Sequence, residues 1–166
     1  MFYEFSQNNS GGSFDVNDKL CHVMIIEADT EAEAVNKAEE LGCYWDGVDR
    51  GIDCPCCGDR WSKSYLDPID IDRYTTEGMP VGVYDNIYKN TAAEWNKRYG
   101  SYDVIEQPTF VKTIAGFSEY RGRIRFKNLE EYAQYFADEY GWTTPDTRIF
   151  YKDGHVKEIY SKKVQQ

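Results

Sequence analysis

The chain has 166 residues, 41% of them hydrophobic and 16% aromatic, and a net charge of −10. That length holds one domain with a real core, residues 1–166, and the acidic balance excludes strong non-specific nucleic-acid binding. The longest aliphatic run, Val23-Met-Ile-Ile26, is far too short to span a membrane.

The first residues, Met-Phe-Tyr-Glu-Phe-Ser-Gln, have neither the basic start nor the apolar stretch of a secretion signal. With five cysteines and no such signal, the expected setting is the reducing cytoplasm. Charge is uneven: residues 1–60 carry 13 Asp and Glu against 4 Lys and Arg, whereas residues 111–166 carry 8 against 10. A local basic site therefore fits only the last third.

Residues 2–7 and 14–17 flank Asn8-Asn-Ser-Gly-Gly-Ser13, which has turn chemistry throughout. The pattern predicts a β-hairpin, or a strand followed by a broad Gly-rich loop. A phosphate cradle is disfavoured there, because no Lys follows the glycines and no strand-loop-helix context exists. Residues 19–27 read as a strand apolar on both faces, as in the middle of a sheet. Thr30 caps a helix with Glu33 completing a capping box; Ala34, Val35, Ala38 and Leu41 form its buried stripe, and Gly42 ends it.

Residues 43–89 show little periodicity and read as a loop-rich insertion. Its aspartates, Asp46, Asp49, Asp53, Asp59, Asp67, Asp70 and Asp72, match no carboxylate motif for paired metals, and a solvated acidic face is the better reading. Thr91-Ala-Ala-Glu94 opens a second capped helix ending near Gly100. Extended segments follow at 102–106 and 109–114. In Tyr120-Arg-Gly-Arg-Ile-Arg-Phe-Lys127, the cations Arg121, Arg123, Arg125 and Lys127 share one strand face, opposite Ile124 and Phe126. That face suits a phosphate, a nucleotide or an acidic partner, and equally an ordinary surface paired with neighbouring carboxylates.

Asn128 caps a further helix with Glu131 at N3, Leu129, Tyr132, Ala133, Phe136 and Tyr140 on its apolar face, and Gly141 at its end. The chain closes in a hairpin whose two-residue turn is Asp153-Gly154, with Ile149, Tyr151 and Val156 on one face and Lys152, exposed His155 and Lys157 on the other. The whole predicts an α+β fold: an antiparallel sheet, two to three helices packed on one face, and the cysteine-bearing insertion between.

Three of the five cysteines lie in Cys54-Pro55-Cys56-Cys57-Gly58, which fits the C-P-x-C-G form of a zinc knuckle. Such a turn offers two thiolates to one metal, with Pro fixing one φ and Gly tolerating the φ that closes it. Structural zinc takes four ligands, so the remainder must come from Cys21, His22, Cys43, Cys56 or His155. The expected set is Cys54 and Cys57 joined by Cys43 and His22. A reduced cysteine cluster that binds nothing is the alternative.

Asn8-Asn-Ser-Gly-Gly-Ser-Phe14, Cys21-His22 leading into Ile26-Glu-Ala-Asp29, and Gly51-Ile-Asp-Cys-Pro-Cys-Cys-Gly-Asp-Arg-Trp61 together resemble a family of small uncharacterised proteins encoded by tailed bacteriophages. The resemblance covers roughly the first 65 residues. It implies a phage-encoded accessory protein in the host cytoplasm and brings no catalytic residues with it. Proteins of that origin and size often blunt host defence, by binding a defence protein or sequestering its nucleotide signal. With two histidines, one exposed, a Ser-His or Cys-His site is poorly supplied. The leading expectation is therefore a non-enzymatic binding protein with a structural zinc; a metal-dependent enzyme acting on nucleotides or nucleic acid is the second.

Overall fold

The computed structural model describes residues 1–64, 66, 68–69, 87–88, 91–112 and 118–163. In chain order the elements are β1 (Phe2–Ser6), β2 (Val23–Glu27), α1 (Glu31–Leu41), β3 (Pro68–Ile69), β4 (Ile87–Tyr88), α2 (Ala92–Tyr99), β5 (Asp103–Lys112), β6 (Ser118–Arg125), α3 (Leu129–Tyr140), β7 (Thr147–Phe150) and β8 (Val156–Ile159). Contacts divide the chain into two compact units: Met1–Ile69 with Ala133–Gln166, and Asp70–Tyr132, the boundary falling inside α3.

The first unit is built on a five-stranded sheet in the order β3-β1-β2-β7-β8. β1 buries Tyr3 and Phe5 at alternate positions. β2, the middle strand, buries Met24, Ile25 and Ile26 in succession, as a strand covered on both faces must. The α+β class is as the sequence predicted, but the sheet is mixed rather than wholly antiparallel, because β2 and β7 pair in parallel from Val23↔Thr147 to Ile26↔Phe150. More than a hundred residues separate the two strands, so no tight hairpin forces them antiparallel.

Helix α1 begins where its cap dictates. Thr30 Oγ1 accepts the Glu33 N–H at 3.2 Å, while the Glu33 carboxylate reaches back to the Asp29 N–H at 3.0 Å, one residue short of a reciprocal box. Ala34 and Ala38 are fully buried, and Val35 and Leu41 pack against the same core, which also holds Phe5, Leu20, Cys21, Met24, Cys43 and Trp61.

The terminal hairpin corrects the predicted register. Phe150 pairs with Val156, Ile149 with Lys157, and Tyr151 N–H donates to the His155 carbonyl, leaving a three-residue turn, Lys152-Asp153-Gly154. One extra turn residue moves Val156 to the side of Phe150, since a slip of one exchanges the faces of a strand. His155 is exposed, as predicted, and stacks on Tyr151 with ring centroids 4.1 Å apart. In α3, Asn128 Oδ1 accepts the Glu131 N–H at 2.8 Å. Tyr140, predicted on the apolar face, is 63% exposed and stacks on Trp142, whereas Leu129, Ala133, Tyr135 and Ala137 are buried.

The second unit carries a three-stranded antiparallel sheet, β4-β6-β5, and α2. The Thr91 and Glu94 capping box is present in both halves. The two extended segments predicted at 102–106 and 109–114 join into β5, with register shifts around Glu106 where Pro108 interrupts the donors; residues 113 and 114 lie outside the described residues. Trp95 and Tyr99 of α2 are buried, and Gly122 of β6 makes room for Trp95: a Cβ there would lie 2.6 Å from the indole Cζ2 and 2.9 Å from the Glu106 carbonyl oxygen.

Candidate metal centre

The site is built from two stretches of sequence that the fold joins. Between residues 44 and 61 the chain closes on itself: the Gly47 carbonyl accepts the N–H groups of Ile52 at 2.8 Å and Asp53 at 2.9 Å. Asp53 is thereby turned inward, its side chain wholly buried. Its Oδ1 accepts the Tyr44 hydroxyl at 2.9 Å and its Oδ2 accepts the Arg60 N–H at 2.8 Å. Gly47 is required at this crossing, because a Cβ would sit 1.8 Å from Asp53 Oδ2.

Arg60, also buried, ties this loop to the N-terminal one. Its guanidinium donates to the carbonyls of Ser13 at 2.7 Å and Ser10 at 3.1 Å and to Gln7 Oε1 at 3.3 Å, and lies beside Asp15 at 3.2 Å and Asp53 at 3.7 Å. A buried guanidinium with two carboxylates and several carbonyls satisfies the pairing that burial of charge demands. The Gly-rich stretch is thus the strand-then-loop alternative, with a short 3-10 turn at Ser10–Gly12. Its carbonyls face a cation of the protein itself. It also braces the cysteine turn directly: Ser10 Oγ accepts the Cys54 N–H at 2.7 Å, and Asn8 Nδ2 donates to the carbonyls of Cys57 at 3.3 Å and Asp59 at 2.6 Å.

On this platform stands the turn itself. The Cys54 carbonyl accepts the N–H groups of Cys57 and Gly58, both at 3.1 Å, with Gly58 at φ 84°. The sulfurs of Cys54, Cys56 and Cys57 all lie within 4.8 Å of one another, with Cys56 and Cys57 exposed and Cys54 half-buried. Cys56 and Cys57 Sγ are 3.7 Å apart, near the roughly 3.8 Å expected of two thiolates each about 2.3 Å from one tetrahedral metal. Cys54 and Cys56 Sγ are in closer contact, at 2.6 Å.

Two of these sulfurs are shifted in opposite directions. The Cys54 thiol is drawn down to about 7, first by its contact with the Cys56 thiol and then by the backbone N–H groups of Cys56 and Cys57. Cys56 is pushed up to about 11 by its neighbours Cys54 and Cys57. One sulfur is thus poised as thiolate while the next holds its proton, the state from which a thiophilic cation displaces protons as it binds.

Of the residues singled out as ligands, the structure brings Cys54 and Cys57 together and adds Cys56; among the described residues neither Cys43 nor His22 belongs to that group. The Cys43 N–H bonds the Ala38 carbonyl at the end of α1, and its side chain enters the core near Cys21, where burial pushes its thiol up to about 12. His22 is buried between Phe14, 4.4 Å away, and Trp142, stacked at 4.7 Å, and burial lowers its pKa. The signal for Cys56 was its place between two predicted ligands on a turn too tight to send it elsewhere.

The basic strand has the predicted face. Arg123 lies 3.7 Å from Glu106 and Arg125 3.8 Å from Asp103, both acids on β5; Arg121 is half-buried beside them and Lys127 exposed. Among the aspartates, Asp46 is exposed and pairs with Arg50 at 3.3 Å, Asp49 is exposed, Asp53 is the buried brace, and Asp59 Oδ1 accepts the Val48 N–H at 2.9 Å. Asp67, Asp70 and Asp72 lie outside the described residues.

Fold and site define an α+β protein with a thiol-rich surface turn capable of holding a metal. The chain belongs to the family of a domain of unknown function, DUF7296, whose pattern matches residues 1–106 and so takes in both halves of the braced turn. No curated protein and no solved structure matches it. Among the described residues, no helix is long and apolar enough to cross a membrane.

Proposed function

We propose that this is a non-enzymatic binding protein that holds zinc at Cys54, Cys56 and Cys57. In this reading it is phage-encoded and works in the host cytoplasm by binding and inhibiting a host defence factor, or by sequestering that factor's nucleotide signal. The observation that carries the metal-binding part is the convergence of three thiols on an exposed turn already braced from below by Asp53 and Arg60. The brace holds the loop by side-chain hydrogen bonds, so the metal acts on what the turn presents more than on whether the loop forms. The origin and the target rest on the sequence resemblance. Native mass spectrometry of the reduced protein tests the metal, with one zinc per chain expected and metal-free protein after zinc addition counting against it. A pull-down from infected-cell lysate, analysed for proteins and for bound nucleotides, tests the target.

The second reading, a metal-dependent enzyme acting on nucleotides or nucleic acid, draws on one feature: three protein donors leave a fourth position for water, as catalytic zinc needs. Its candidate bases are engaged elsewhere, Asp53 with Tyr44 and Arg60 and Asp59 with Val48. Nucleotide turnover abolished by a chelator without unfolding would favour this reading over the first.

A further inference from the structure

Tetrahedral zinc takes four ligands, and the turn supplies three sulfurs with no fourth His, Cys, Asp or Glu donor in the group among the described residues. A second copy of the same turn would supply the missing donors. Two chains bring six thiolates to two zinc ions; when two of the six bridge both ions, each ion has four sulfurs and no donor is left over. We propose that the cysteine turn is half of a binuclear zinc–thiolate cluster completed by a second copy of this chain, so that zinc makes the protein a dimer. The proposal rests on the metal-binding reading above and adds the partner that fills the open position.

The surroundings of the turn suit that approach. Cys56 and Cys57 are exposed, and a Cβ added at Gly51 or Gly58, on either side of the cysteines, would meet no heavy atom within 4 Å. Ile52, 54% exposed, adds an apolar contact at the edge of the turn. Charge opposes the contact, because each chain carries −10. The cluster does not relieve this, since six thiolates and two dications leave it negative by two charges, so the zinc–sulfur bonds must outweigh a repulsion that salt screens.

The test uses the full chain, reduced and metal-free, titrated with zinc and followed by native mass spectrometry and sedimentation. Binding is expected to stop at one zinc per chain, with the mass doubling from 19.3 kDa and the dimer tightening as salt is raised. Cobalt in place of zinc is expected to show thiolate charge-transfer absorption and a magnetic moment below that of isolated cobalt ions, because bridging sulfurs couple the pair. Cys56→Ser leaves four thiolates per dimer and is expected to bind one zinc per two chains. One zinc per chain in a monomer, or a dimer that forms equally without zinc, overturns the proposal and leaves the metal-binding reading standing. No zinc bound at all overturns both.

Discussion

The five cysteines fall into two groups that share an element and little else. Cys21 and Cys43 sit in the core, 0% and 5% exposed, where burial pushes both thiols up to about 12. Cys21 Sγ donates to the Val23 carbonyl at 3.0 Å and otherwise packs as a small apolar group. Cys54, Cys56 and Cys57 sit on a surface turn whose N–H groups and mutual contacts draw one thiol down to about 7. In the sequence Cys57 belongs to the knuckle motif, and Cys43 is added from outside it to complete the ligand set. What separates them is the backbone: a helix end directs one sulfur into the core, and a Gly-closed turn directs the other outward.

The largest expected effect is in reactivity, which tests the contrast directly. Near pH 7 the thiolate fraction of Cys54 exceeds that of Cys21 or Cys43 by several orders of magnitude, roughly a factor of ten for each unit of pKa between them. Iodoacetamide mapping by mass spectrometry should find Cys54 modified first, its rate rising through pH about 7, and Cys21 and Cys43 untouched until the protein unfolds. Added zinc should protect the turn. Core thiols that react in the folded protein would break the distinction.

Next in size is the brace. Asp53→Ala leaves the Arg60 guanidinium buried with one partner fewer and the Tyr44 hydroxyl without its acceptor. Urea unfolding should show a loss of about 3 kcal/mol, the usual cost of removing one member of a buried ion pair. Cys54→Ser and Cys57→Ser should abolish metal binding yet cost the metal-free protein less than about 1 kcal/mol, in the range of surface substitutions. Should the cysteine variants instead melt far below the parent without metal, the sulfurs and not Asp53 hold the loop.

Proton linkage sharpens the same contrast on a different pair. Burial lowers the pKa of His22 below its ordinary 6.5, so the unfolded chain takes up a proton first and stability falls as pH drops below that value. Burial raises Asp146, whose effect has the opposite sign: its cost to the fold is present at neutral pH and recedes as pH falls through its raised pKa. Melting temperatures across pH 4–8 should therefore lose their downward slope below about pH 6.5 in His22→Phe, and Asp146→Asn should be more stable than the parent at neutral pH. A His22→Phe curve parallel to the parent would show that the buried imidazole does not govern the slope.

The smallest effect is expected on the basic strand. Arg123 already lies beside Glu106, and Arg123→Lys at this partly exposed pair should change stability by less than about 0.5 kcal/mol. Calorimetric titration with mono-, di- and cyclic nucleotides separates the two readings of this face. A phosphate clamp loses affinity on losing the guanidinium fork, while a paired surface strand shows no heat with either protein.

Much of the fold was legible because its signals are local. Thr30, Thr91 and Asn128 each announce a helix through a side chain acting three residues away, and the alternation of Arg121 to Phe126 gives the strand and its two faces without reference to anything distant. The mixed sheet was not legible, because nothing within residues 23–26 records that their neighbours are residues 147–150. The site divides in the same way. The turn at Cys54 is written in five consecutive residues. Its brace is not, since Arg60 meets Ser13 and Cys54 meets Ser10 across more than forty residues of chain, and only folding turns a Gly-rich stretch into a support for a cysteine turn.

The parallel pairing of β2 with β7 bears on synthesis. During synthesis β1, β2, α1 and the cysteine turn can form early, but β2 then has one bare edge until residues 147–150 arrive. That edge belongs to the most apolar strand of the sheet, with Met24, Ile25 and Ile26 all buried in the finished protein. For the time it takes to add more than a hundred residues, the nascent chain displays an open template for the wrong strand. The family match, residues 1–106, stops short of the strand that covers this edge, so residues 1–106 of this chain would leave the sheet open.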